Sequence, residues 1–167
     1  MGNKISLSVT AGASPGSVTN DVEGFDLISG DNSSYSSANR VAFPLRVPST
    51  GTNYSYTKWV RLRAKNAPSA QLYNFKCWGP NAVPETGITM YWKAVAAYET
   101  PTTPTSTAGF TQQDTNYTSS GTALTISGTL TASGEYSDYL VMMYTCGTSA
   151  TQGTVTQINL NYSYDEQ

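Results

Sequence analysis

The segment "KWVRLRAKNAP", residues 58–68, alternates from Trp59 to Lys65. Val60, Leu62 and Ala64 share one parity, and Trp59, Arg61, Arg63 and Lys65 share the other. A strand presents successive side chains to opposite faces, so this pattern predicts an apolar row turned to a core and a basic, aromatic row turned outward. Lys58 breaks the pattern, because its parity is that of the apolar row. The same period-two signal marks strands near 4–10, 41–47, 56–65, 72–78, 87–96, 122–131, 137–146 and 153–164. In the last of these, Thr156, Ile158, Leu160, Tyr162 and Tyr164 fall on one face. "SDYLVMMYTC" is apolar at both parities, as expected of a central strand or of one covered by a neighbouring subunit.

Clusters of Gly, Pro, Asn and Ser separate these runs, and no window sustains a helical period. About eight strands without helical crossovers pair antiparallel, which predicts one all-β sandwich over residues 1–167, of the jelly-roll or immunoglobulin-like kind. Two polar segments, 11–40 and 99–121, are long for connections and are expected to be contact-bearing loops. The first holds an apolar knot of Val22, Phe25, Leu27 and Ile28.

Composition supports this architecture. Twenty Ser, 24 Thr and 12 Tyr in 167 residues favour strands and turns over helices. The net charge of −2 weighs against phosphate binding by the whole surface. Charge is nonetheless segregated. Residues 40–93 carry eight cations (Arg40, Arg46, Lys58, Arg61, Arg63, Lys65, Lys76, Lys93) against Glu85 alone, a balance of 8 − 1 = +7. Asp21, Glu23, Asp26 and Asp31 cluster outside that stretch. Such opposed patches fit contacts between copies of a chain in a homo-oligomer.

Chemistry is sparse. The chain has no His, so Ser-His-Asp and Cys-His catalysis and the usual zinc sites are excluded. No phosphate-binding glycine loop is present, and the 11 acidic residues form no glycosidase-like pattern. No enzyme activity and no cofactor are therefore expected. An EF-hand register from Asp21 places Asp26 where glycine belongs, so only an irregular calcium site of Asp21, Glu23 and Asp26 would be open to this stretch. Cys77 and Cys146 are expected as buried free thiols. The four N-x-S/T sequons (Asn32, Asn53, Asn116, Asn161) match chance, and Ser6 gives Gly2 a loose myristoylation context. No apolar run reaches membrane-spanning or signal-peptide length, so the chain is expected in the cytoplasm when made.

The runs "WVRLRAKNAPSAQLYNFKCWGP" and "ITMYWKAVAAYETPTTPTSTA", with the closing "NLNYSYDEQ", give residues 56–167 a style of low charge, Thr-rich Pro loops and strand-ending Tyr-Asp. In this the chain resembles small β-sandwich virion proteins of tailed bacteriophages. The resemblance implies a structural role in the particle, as a capsid decoration (cementing) or auxiliary head protein, with no catalytic residues to carry over. Its partners would be capsid or other virion proteins. Two alternatives stand beside it. One is a carbohydrate- or receptor-binding module, with Trp59, Trp78 and Trp92 as ring platforms for a glycan. The other is a jelly-roll coat protein, which usually needs a basic arm, whereas "MGNKISLSVT" has only Lys4. The expected interface is the outward row Trp59, Arg61, Arg63 and Lys65, since Trp and Arg are enriched at the energetic centres of interfaces.

Overall fold

A computed structural model describes residues 4–82, 84–153, 155 and 157–167. Gly2 and Thr156 lie outside them. Ten strands are present among the described residues: β1 (Ile5–Ala11), β2 (Ser17–Asn20), β3 (Thr52–Tyr54), β4 (Lys58–Ala64), β5 (Leu72–Trp78), β6 (Ile88–Val95), β7 (Thr111–Gln112), β8 (Leu124–Ile126), β9 (Tyr136–Gly147) and β10 (Asn161–Glu166). Two short helices, α1 (Ser37–Ala42) and α2 (Gln113–Asn116), interrupt them. Seven strands form one antiparallel sheet in the order β2-β1-β4-β9-β6-β7, with β3 also paired to β9. The other three form a second sheet, β10-β5-β8. The chain is an all-β sandwich.

Register explains the core. Leu7, Leu62 and Val9, Val60 pair across β1 and β4, and Val60 pairs with Leu140 of β9. This row faces Leu72, Phe75 and Cys77 of β5 and Ile126 of β8, all but fully buried in one cluster. The parity expected for Val60 and Leu62 holds, and Cys77 and Cys146 are buried free thiols. The knot in the first long segment also joins the core: Ile28 is buried, while Val22, Phe25 and Leu27 pack against the cluster.

Three expected strands are altered, each for a local reason. Residues 41–47 alternate like a strand, but Ser36 caps α1 by accepting a hydrogen bond from the Asn39 N–H (3.4 Å). The helix then ends at Phe43, the residue before Pro44, and Pro48 follows. The 122–131 run is a strand only over β8. At Gly128 (φ 142°) the backbone leaves the sheet and approaches Ser137, whose Cα would lie 3.0 Å from any added Cβ. The run touches β5 again through the Leu72–Leu130 bridge. Among the described residues of the 153–164 run, pairing is confined to β10. Asn161 lies opposite Trp78, so two residues earlier the partner position is Pro80, which has no N–H to donate. The alternation, which turns Ile158 and Leu160 to the core with Tyr162 and Tyr164, predicts full burial of both; they are half-buried, packed against the core from an irregular segment.

Strands β2, β3 and β7 have two to four residues each, too short to leave a period in the sequence.

Leu62 is 1% exposed and Leu160 only partly covered. Leu62→Ala is expected to destabilise the fold by about 2–5 kcal/mol, and Leu160→Ala by clearly less. Urea midpoints of the two variants check this ranking.

Candidate interaction face on strand β4

The two faces of β4 differ sharply. Lys58 has the inward parity, opposite Met142, and is 1% exposed. Its ammonium donates to the main-chain oxygen of Asn32 and lies 3.8 Å from Asp31 Oδ1. Burial pulls its pKa down to about 8, against the opposing pull of Asp31 and then Asp26. The sequence signal for this site was the one cation on an apolar parity.

On the other face, Trp59, Arg61 and Arg63 stand opposite Thr10, Ser8 and Ser6 of β1. Trp59 was expected outward in solvent; it is 3% exposed. Its parity is as expected, but segment 95–110 folds over the sheet and covers it. Tyr98 and Tyr139 meet the indole edge-on at centroid distances of 5.2 and 5.5 Å, and Val95 and Phe110 complete the cluster with Val141. The indole N–H donates to Thr57 Oγ1 (3.2 Å), which also accepts from the Thr102 N–H (3.2 Å). The Thr57 N–H in turn donates to Thr102 O (2.9 Å). Tyr98 donates its hydroxyl to Gly12 O (2.6 Å), and its ring passes where a Cβ on Gly16 (φ 76°) would sit. A glycine is needed there.

Further along β4 the face is polar. The Arg61 guanidinium lies 4.1 Å from the Tyr136 ring centroid and 4.6 Å from that of Tyr139. Tyr136 is fixed by donating to Asn20 Oδ1 (3.0 Å), an atom that also accepts from the Ser8 hydroxyl (2.8 Å). Arg61 has no ion-pair partner among the described residues. Arg63 and Lys65 share one, Asp21, at 3.7 and 3.8 Å. Lys65 and Asp21 are each about half exposed, so these pairs add little stability.

The segregated charge therefore meets largely within one chain. Asp21 faces Arg63 and Lys65, Asp26 binds Arg40 Nε (2.7 Å), and Asp31 faces Lys58. Three of the four clustered acids expected to serve contacts between copies are used in this way. The calcium arrangement also fails to assemble. Asp26 is buried and accepts from Arg40 and the Ser36 N–H (3.0 Å), and among the described residues no three His, Cys, Asp or Glu side chains converge.

The tryptophans do not form a glycan platform together. Trp59 and Trp92 are 3% and 1% exposed, Trp92 being stacked on Tyr117 at 6.1 Å, and only Trp78 is partly open. Two open depressions of about 280 and 330 Å³ lie elsewhere, one beside Arg46 and Tyr54 and the other between Pro80 and Ile158. Neither gathers a set of ionisable groups. No described helix is long and apolar enough to cross a membrane. No family model, curated protein or solved structure matches the chain.

Burial, aided by the nearby Asp31 and Tyr139, pushes the Tyr98 hydroxyl up to about 12. Folded Tyr98 thus keeps its proton over a window in which an unfolded tyrosine, near 10, has lost it. The folded state binds more protons there, so stability falls as pH rises from about 10 to about 12. Tyr98→Phe removes this component, and its urea midpoint should fall less steeply than that of the wild type over the same window.

Proposed function

We propose that the chain is a structural protein of a virus particle, a capsid decoration or auxiliary head component that binds neighbouring protein subunits and performs no catalysis. It would be made in the host cytoplasm and end in the virion. The observation that carries the proposal is Arg61. Its guanidinium is held across two tyrosine rings, one of them anchored by Asn20, and it pairs with no acid among the described residues. A rigid Arg framed by Tyr is the kind of residue that carries binding energy at protein interfaces, because little side-chain entropy remains to be lost. Arg63 and Lys65 extend the contact as its rim, where shared pairing with Asp21 leaves them net positive. Trp59 leaves the proposed interface and becomes part of the support beneath it. The favoured partner surface is acidic, on a capsid subunit or on a second copy.

The phage-like style of residues 56–167 and the absence of histidine from the sequence agree with this role. The glycan- or receptor-binding alternative keeps Trp78 and the depression beside Tyr54, and the jelly-roll coat alternative keeps the fold class.

The test is co-sedimentation with capsid shells from the source, with a glycan array in parallel. Arg61→Glu should weaken shell attachment or self-association by about tenfold or more, with an unchanged β-type circular dichroism spectrum. Arg63→Glu should do less, since it also disturbs Asp21. Normal attachment of the Arg61 variant, or loss of glycan binding in its place, would overturn the assignment.

A further inference from the structure

We propose that Lys58 and Asp31 join in an intramolecular isopeptide bond, formed without any other reagent, that ties segment 21–35 to the head of strand β4. The inference stands on the geometry around Lys58 and does not depend on the virion assignment.

Four observations point to it. Lys58 is an amine on a core-facing strand position, 1% exposed, and its ammonium meets Asn32 O and Asp31 Oδ1. Asp31 Oδ1 lies 3.8 Å from that amine and is itself buried, with no hydrogen-bond partner. The other carboxylate oxygen, Oδ2, accepts the Gly12 N–H at 2.6 Å. Asp26, the other acid whose charge bears on Lys58, has its carboxylate engaged by Arg40 and the Ser36 N–H, which leaves Asp31 as the acid facing the amine.

These parts supply what acyl transfer to an amine requires. A proton passes from the Lys58 ammonium to Asp31 Oδ1, giving a neutral amine and a carboxylic acid. Burial of Lys58 lowers the cost of that exchange, because it draws the ammonium's pKa down to about 8. Nζ then attacks Cγ. The Gly12 N–H stabilises the developing charge on Oδ2, as a backbone donor in an oxyanion hole does. The tetrahedral centre collapses, the C–Oδ1 bond breaks, and the second amine proton leaves with that oxygen. Ammonium and carboxylate have become an amide and one water, with no oxidation or reduction. The starting separation is slightly longer than the roughly 3–3.5 Å of a near-attack arrangement, and the four-carbon lysine stem can close it. Asp31 is 25% exposed although Oδ1 is buried, so its other atoms reach solvent and give the water a way out.

Intact-mass spectrometry of the full chain tests this, compared with Lys58→Arg, which keeps a cation but cannot be acylated in this way. After allowance for the substitution, the wild type should be lighter by one water. A tryptic digest should contain one branched species joining residues 5–40 to residues 47–61. Asp31→Ala should regain the full mass, which keeps the test open if the Arg variant fails to fold. A wild-type chain at full mass after prolonged incubation at pH 8 would overturn the proposal. So would a water loss that survives Lys58→Arg, which marks a succinimide at Asp31, or a loss of ammonia, which marks attack on Asn32.

Discussion

Strand β9 sets the terms for the rest of the molecule. It runs for 12 residues through the middle of the larger sheet, and both its faces are apolar. Leu140, Met142 and Cys146 point one way; Val141 and Met143, both 0% exposed, point the other. A sheet buried on one face alone would leave the second row in water, so two separate covers are needed. The three-stranded sheet supplies the first. Segment 95–110 contributes to the second, with Tyr98 and Phe110 in a cluster with Trp59, Tyr139 and Val141.

That requirement accounts for both long segments. Segment 99–121 begins as a lid, fastened at Thr102 to Thr57, before it returns as β7 and α2. Segment 11–40 gives Gly12 O to Tyr98, adds β2 to the sheet edge, and then brings Asp21, Asp26 and Asp31 to Arg63, Arg40 and Lys58. Both segments make contacts within the chain. Exposed surface remains at the polar end of the outer face, around Lys65, and on segment 35–43. There Tyr35, Val41 and Phe43 are 57%, 84% and 47% exposed.

Strands with long periods were legible in the sequence: β1, β4, β5, β6 and β9 lie where alternation puts them, and the sides taken by Val60 and Leu62 follow from parity. Parity says which side of a sheet a residue takes, but not whether anything covers that side. Trp59 shows the difference, because its cover comes from residues about 40 positions away in sequence. Charge along the chain has the same blind spot, since Asp21 and Arg63 look like separate patches until the backbone brings them together. Lys58 carried a usable signal, a lysine on the parity of Val60 and Leu62. What it could not show was that Asp31 and Asn32 lie over it.

The covered outer face is the central claim, and the Trp59 indole proton reports on it directly. Solvent exchange of that N–H by nuclear magnetic resonance, assigned with Trp59→Phe, should be slow in the native chain. It should accelerate strongly in Tyr98→Ala, while the Trp92 indole proton, on the inner face, stays slow in both. Rapid exchange of the Trp59 proton in the native chain, comparable with that of half-buried Trp78, would mean that segment 95–110 does not cover the sheet.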